Sequence, residues 1–280
     1  MGAQGIDIRN VVVRSIILCA LAVYTAFAAG PFIWVTIMSF RTTTEISDDP
    51  YALPPPFHWN KFSEVWFNSN YDTYFLNSTI VTLCSVFALS LLGAMAAHCL
   101  ARYRFPGNRL IFFLIFSTII LPPQITIIGI FQLMIEYGLY NTLTGLILVY
   151  ISMQLPLTVY ILEGFFKRIP QDLFDAARMD GYSDFEIFWR ITLPIGFPAI
   201  ATTVILNTIY IWNEFLFAVV LLSDDSKRTL PLGIQRFMGD HLEDTGMLAT
   251  GLIIAVIPVI VAYVFFSEKM IQGMTAGAVK

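Results

Sequence analysis

Charge, cysteine and histidine are all scarce in this sequence. Charged residues make up 13% of 280 positions, with three cysteines and three histidines. So little charge excludes an ordinary soluble domain, in which about a quarter of residues are charged. Cys19, Cys84 and Cys99 fall in or at the end of apolar runs, which argues against a disulfide framework and for ordinary packing. His58, His98 and His241 are scattered without metal-ligand spacing, and no glycine-rich phosphate loop, HExxH or GxSxG pattern occurs. No catalytic site, metal site or bound cofactor is therefore expected on this chain, and no nucleic-acid partner.

What the sequence has is apolar length. Hydrophobic residues reach 57% and the mean hydropathy is +0.71. Apolar runs at 11–39, 75–100, 110–135, 143–162, 195–222 and 247–266 can each cross a hydrocarbon core of about 30 Å as a helix. Continuous rather than alternating hydrophobicity favours helices over barrel strands, since a spanning helix satisfies its own backbone. The expected fold is an all-α membrane protein with six transmembrane helices in a single domain, 1–280. Pro122 and Pro123 interrupt the third run, which is either a kinked helix or a shorter helix followed by an interfacial one. Arg9 and Arg14 precede an apolar stretch that reaches Ala26, Phe27 and Ala28, which resemble a processing site, but the stretch continues to Met38, as expected of an uncleaved anchor.

Basic residues set the orientation. With the N-terminus inside, Arg9, Arg14, Arg102, Arg104, Arg109, Lys167, Arg168, Arg178, Arg190, Lys269 and Lys280 lie on the cytoplasmic side. Arg41, Lys61, Lys227, Arg228 and Arg236 lie outside, a bias of eleven to five. Both termini and the polar segment at 169–194 are then cytoplasmic, in a multi-pass membrane protein.

That segment reads IPQDLFDAARMDGYSDFEIFWRITLP. Pro170 suits a first helical turn, with Asp172 at the positive end of the dipole. Leu173, Phe174 and Ala177 share one side, and Gly181 stands where a left-handed C-terminal residue is wanted. Ser183 and Glu186 form a capping box that opens a second helix with Phe185, Phe188 and Trp189 on its apolar side, interrupted by Pro194. Asp172, Asp175, Asp180, Asp184 and Glu186 would be repelled by an anionic leaflet, so a protein partner is expected rather than the lipid surface.

Asp175, Ala176, Ala177, then Gly181, then Ile191, Leu193 and Pro194 resemble the EAA loop of permease subunits in bacterial ABC importers: EAA, three residues, G, nine residues, I, one residue, LP. Asp175 stands where that family usually has Glu, keeping the charge with a shorter reach. YGLYNTLTGLIL at 137–148, WNEFLFAVVLLSDDSKRTLPLGIQRF at 212–237 and QGMTAGAVK at 272–280 are similar to MalG-like subunits of carbohydrate importers. The resemblance implies that Asp175, Ala176, Ala177, Asp180, Gly181, Leu193 and Pro194 couple to an ATPase subunit. It also implies that the cytoplasmic tail, 267–280, reaches the ATPase through Gln272, Gly273, Thr275 and Gly277. By composition the tail is too polar and glycine-rich to form a helix of its own.

The implied partners are a second, MalF-like permease subunit, two ATPase subunits carrying ATP and Mg, an external solute-binding protein, a sugar substrate and membrane lipid. Asn207, Asn213 and Glu214 are polar residues in the fifth run. They either line a solute path or make interhelical hydrogen bonds. An ion-gradient-driven secondary transporter is the rival reading. It needs embedded ionisable groups, of which Glu214 is the main instance, and no inverted repeat is visible.

Overall fold

The computed structural model describes the backbone of residues 8–52, 57–238 and 244–278, and side chains within 12–264 of these. Regular structure among the described residues is helical throughout. In chain order the α-helices are α1 (Ile8–Ser39), α2 (Thr43–Asp48), α3 (Asn60–Asn68), α4 (Tyr71–Arg102), α5 (Asn108–Ile120), α6 (Ile127–Glu136) and α7 (Leu143–Phe166). They continue with α8 (Gln171–Met179), α9 (Asp184–Ile187), α10 (Leu193–Asn213), α11 (Leu216–Leu221), α12 (Leu230–Gly233) and α13 (Thr245–Ala278). Among the described residues, five helical stretches are long and apolar enough to cross a membrane, Val12–Ser39, Tyr71–Arg102, Leu143–Phe166, Asp184–Asn213 and Thr245–Val264, and six if the bent pair Asn108–Ile120 and Pro123–Glu136 counts as one span.

The third apolar run is not one straight helix. Asn108–Ile120 and Pro123–Glu136 meet at a 95° bend. Leu121 and Pro122 are both extended, at ψ 127° and 125°, because each precedes a proline whose ring disfavours helical geometry. The 13 residues of α5 reach about 20 Å, short of the roughly 30 Å hydrocarbon core.

The run expected at 195–222 is also divided. Helix α10 ends at Asn213, and Glu214 (ψ 129°) turns the chain. Its carboxylate accepts the backbone N–H groups of Phe217 (3.0 Å) and Ala218 (3.3 Å), supplying the opening turn of α11 with acceptors it otherwise lacks.

Two further expectations are corrected. Pro194 does not interrupt the second helix of the polar segment. A π-turn over Phe188–Thr192 joins α9 to α10, with Leu193 N–H bonded back to Phe188. The wider turn accommodates the proline ring and its missing donor where an α-turn would clash. The tail is helical as well, since α13 continues to Ala278. A helix already nucleated extends at one hydrogen bond per residue without a new initiation cost, so weak propensity at 272–278 does not stop it.

The chain forms two compact units, one comprising 1–69 with 236–254 and the other 70–235 with 255–280. In the second unit, α4 packs along α7, and α10 packs on both. Small residues permit this closeness: a Cβ on Gly93 would lie 2.6 Å from Thr158 Cγ2, and one on Gly196 would overlap the buried Phe166 ring. Two apolar clusters result. One gathers Val81, Leu89, Leu146, Val149, Phe217 and Leu221, and the other Ala97, Val159, Leu162, Phe166, Phe174 and Ile187. Helix α5 buries none of its residues within the chain.

The first unit is held by polar contacts around the end of α1. The Arg41 guanidinium donates to the carbonyls of Glu45 (2.6 Å) and Asp49 (2.8 Å), and buried Lys61 donates to the Arg41 carbonyl. Thr42 and Glu45 form a capping box for α2, and His58 bonds Glu45 at 3.0 Å. That bond, followed by the Thr42 N–H, lowers the Glu45 carboxyl to about 2. Burial lowers Lys61 to about 8, opposed by the charges of Asp244, Glu45 and Glu64.

The sign for Lys61 follows from proton counts. Between pH 8 and 10.5 the unfolded segment holds a proton that the folded one has released, so stability rises with pH across that window. Relative to Lys61→Met, which lacks this titration, wild type is expected to gain up to about 3 kcal/mol between those limits. Thermal unfolding of both proteins at pH 7.5 and 10 checks it, and parallel curves would contradict it.

Candidate functional site

The polar segment folds into an elbow whose shape is dictated by its backbone. Helix α8 ends in a full Schellman motif: Gly181 N–H bonds Arg178 C=O at 3.0 Å and Tyr182 N–H bonds Ala177 C=O at 3.0 Å. Gly181 has φ +85°, a left-handed geometry that a Cβ would penalise. Ser183 then caps α9, its hydroxyl accepting from Glu186 N–H while the Glu186 carboxylate accepts from Ser183 N–H. Arg178 bridges the bend, 3.7 Å from Asp175 and 3.4 Å from Asp184. Exposed pairs of this kind add about 0.2–1 kcal/mol each, so the caps and the glycine set the angle.

Beneath the elbow lies its seat. Phe174 and Ala177 are buried, as are Ile187 and Phe188 one turn beyond the bend. The Arg102 guanidinium lies 4.0 Å from the Phe174 ring centroid and donates to the carbonyls of Ile169 (2.7 Å) and Phe166. His98 Nδ1 pairs with Thr192 Oγ1 at 3.0 Å among the rings of Tyr103, Phe174 and Phe188. Tyr103 is raised to about 12, by burial first and then by its hydrogen bond to Asp184. The ends of α4 and α7 and the start of the α9–α10 helix thus meet under one bend.

The residues singled out in the sequence fall into separate groups. Asp175, Ala176, Asp180, Gly181 and Pro194 are exposed, Leu193 is half-buried, and Ala177 faces the chain's own core. Leu173, expected beside Phe174, is exposed, and with Met179, Phe185 and Trp189 it gives the elbow an outward apolar face fringed by acids. Gln272, Gly273, Thr275 and Gly277 lie on the α13 backbone, and their side-chain placement lies outside the described residues.

The polar residues of the fifth run separate too. Asn207 is buried and donates to Thr158 Oγ1 at 2.9 Å, linking α10 to α7. Exposed Asn213 donates to Ile209 C=O at 2.7 Å. Glu214 accepts from the Tyr150 hydroxyl at 2.5 Å in addition to the N–H groups of α11. Asn207 and Glu214 therefore hold helices and turns in place. Sequence reasoning missed Arg102, His98, Tyr103 and Asn108. The last donates to the carbonyls of Leu100 (3.1 Å) and Tyr103 (2.8 Å). For Arg102, His98 and Tyr103 the only signal was polarity at the end of an apolar run, which does not reveal a partner more than sixty positions away.

Long apolar helices packed through small residues, with an elbow seated on their ends, make this a helical membrane protein. The sequence over residues 89–270 matches the family described as binding-protein-dependent transport system inner membrane component. The chain belongs to that family, and as a permease subunit it is not an enzyme. It is 34% identical over 259 residues to the diacetylchitobiose uptake system permease protein NgcG of Streptomyces coelicolor, covering 92% of this chain and 86% of that one. Its fold is similar to a chain of a bacterial ABC transporter involved in the import of the acidic polysaccharide alginate. There the TM-score is 0.80 at 22% identity, over 96% of this chain and 98% of the other. A chain of the alginate transporter in complex with its pentasaccharide-bound periplasmic protein aligns with TM-score 0.68 at 14% identity, over 94% and 96%.

Proposed function

We propose that this chain is one of two permease subunits in an ATP-driven carbohydrate importer. It forms half of the translocation pathway beside a second, MalF-like subunit. Two ATPase subunits supply ATP and Mg chemistry, and an external solute-binding protein delivers the sugar. Both termini and the elbow face the cytoplasm, in keeping with the eleven-to-five bias of basic residues.

The elbow is the observation that carries this reading. Its outward face combines exposed Leu173, Ala176, Met179 and Phe185 with Asp175 and Asp180, and its inward face is locked to three long helices. A partner that grips the outer face and moves therefore displaces the ends of α4 and α7 and the start of α10 together. Solute-protein docking outside and ATPase closure inside then favour the same state of the spans, as reciprocal coupling requires. The carbohydrate class is supported by the relatives, which handle diacetylchitobiose and alginate.

Copurification tests it. An ATPase subunit is expected to accompany the chain in mild detergent and to be depleted about tenfold or more by Ala176→Glu with Met179→Glu, exposed sites where added charge meets the partner and not the fold. An ATPase that stays with the inserted double variant, or never accompanies wild type, would overturn the reading.

A further inference from the structure

We propose that the rim between the α4–α5 bend and the end of α7 binds the phosphate-bearing headgroup of an anionic membrane lipid. An open cavity of about 890 Å³ lies there, lined by Tyr103, Arg104, Gly107, Asn108, Arg109 and Lys167. An adjoining cavity of about 700 Å³ shares Tyr103, Arg104 and Lys167 and adds Arg168. Arg104 and Arg109 are exposed and have no acidic partner within salt-bridge distance among the described residues, whereas Lys167 is paired with buried Glu163. Two guanidinium groups thus face one concavity with their charge uncompensated, and a guanidinium fork matches phosphate oxygens.

The cavity is prepared in advance. Asn108 ties the bend to Leu100 and Tyr103, Gly107 turns it at φ +89°, and Arg102 fastens the opposite wall through Phe166 and Ile169. Walls already ordered leave less entropy to lose on binding. Its place in the fold selects the source of the phosphate. The rim sits where two apolar spans, Tyr71–Arg102 and Leu143–Phe166, both end, which is headgroup depth in a bilayer. Leu110 and the Phe112 ring, 5.3 Å from Lys167 Nζ, continue from it onto α5, where exposed Leu110, Ile111, Phe113 and Leu114 are available to an acyl tail. Basic pockets between spanning helices at a membrane face suit such headgroups.

The test uses the full chain, with whatever subunits accompany it. It is reconstituted in equimolar phosphatidylglycerol and phosphatidylcholine and re-extracted, and the lipid that remains is counted by mass spectrometry. Wild type is expected to retain phosphatidylglycerol over phosphatidylcholine by about tenfold, and Arg104→Gln with Arg109→Gln to lose most of that preference. Arg104→Lys with Arg109→Lys keeps the charge and is expected to keep part of it. A wild type without preference, or a glutamine pair retaining as much phosphatidylglycerol as wild type, overturns the proposal. Radiolabelled inorganic phosphate bound by wild type and not by the glutamine pair, without lipid enrichment, also overturns it and assigns the site to soluble phosphate. Retention does not depend on which side of the membrane the elbow occupies, nor on transport, so failure here is distinct from failure of the importer reading.

Discussion

Gly181→Val is expected to lower ATP-driven uptake about tenfold or more while leaving the amount of inserted chain within about twofold of wild type. Gly181 sits at φ +85°, where a side chain costs about 1–2 kcal/mol, and more when it is β-branched. The two Schellman bonds depend on that geometry, so the elbow must open or re-angle, and about 1.4 kcal/mol is a tenfold shift in such an equilibrium. The damage stays local because Gly181 is exposed and a Cβ there meets no neighbouring atom. Gly181→Asn, which tolerates the left-handed region, is expected to restore most of the uptake. Transport assayed in vesicles with matched protein levels checks this. Wild-type uptake by the valine variant would show that the bend does not transmit force.

Arg102→Met is expected to destabilise the folded chain by about 3 kcal/mol. It leaves the Ile169 carbonyl without its guanidinium donor, at about 1–3 kcal/mol for a buried group left unsatisfied, while the Phe166 carbonyl loses the same donor and keeps the Ile169 N–H. It also removes the cation from over the Phe174 ring, worth about 0.5–2 kcal/mol. Methionine restores the apolar stem, so the loss reports on the charged fork. Arg102→Lys is expected to recover only part of the loss: both carbonyls accept from the single nitrogen Nη2, which an ammonium can replace, but lysine lacks the planar group that lies over the Phe174 ring. Thermal unfolding in detergent measures the cost, and hydrogen exchange over 169–183 should accelerate in step. A melting temperature unchanged by Arg102→Met would show that the seat under the elbow contributes no stability.

The parts of the elbow legible in sequence are those that depend on near neighbours. Gly181 and the Ser183–Glu186 box act over at most five residues, through bonds whose donors and acceptors are specified by residue type. Pro194 was misread because its cost in an α-turn is a local rule, while the π-turn that removes the cost is held by packing: Phe188 and Thr192 are buried against the seat. The division of the fifth run was hidden for a similar reason. Glu214 reads as an acid stranded in an apolar stretch, and only the nearby Tyr150 hydroxyl and the α11 N–H groups make it a cap. Leu173 and Ala177 show the limit of periodicity, which puts both on one side of α8. The seat buries Ala177 and leaves Leu173 outside.

Sequence alone determined that this is an all-helical membrane protein with an elbow between the fourth and fifth apolar runs, because hydrophobic length, helix caps and a left-handed glycine act through neighbours along the chain. Only the tertiary structure decided which elbow residues stay exposed, that Arg102 and His98 join the elbow to the spans, and that Arg104 and Arg109 share a cavity. Each of those outcomes needs residues from separate helices in one place, and the packing of α4, α7 and α10 creates that proximity.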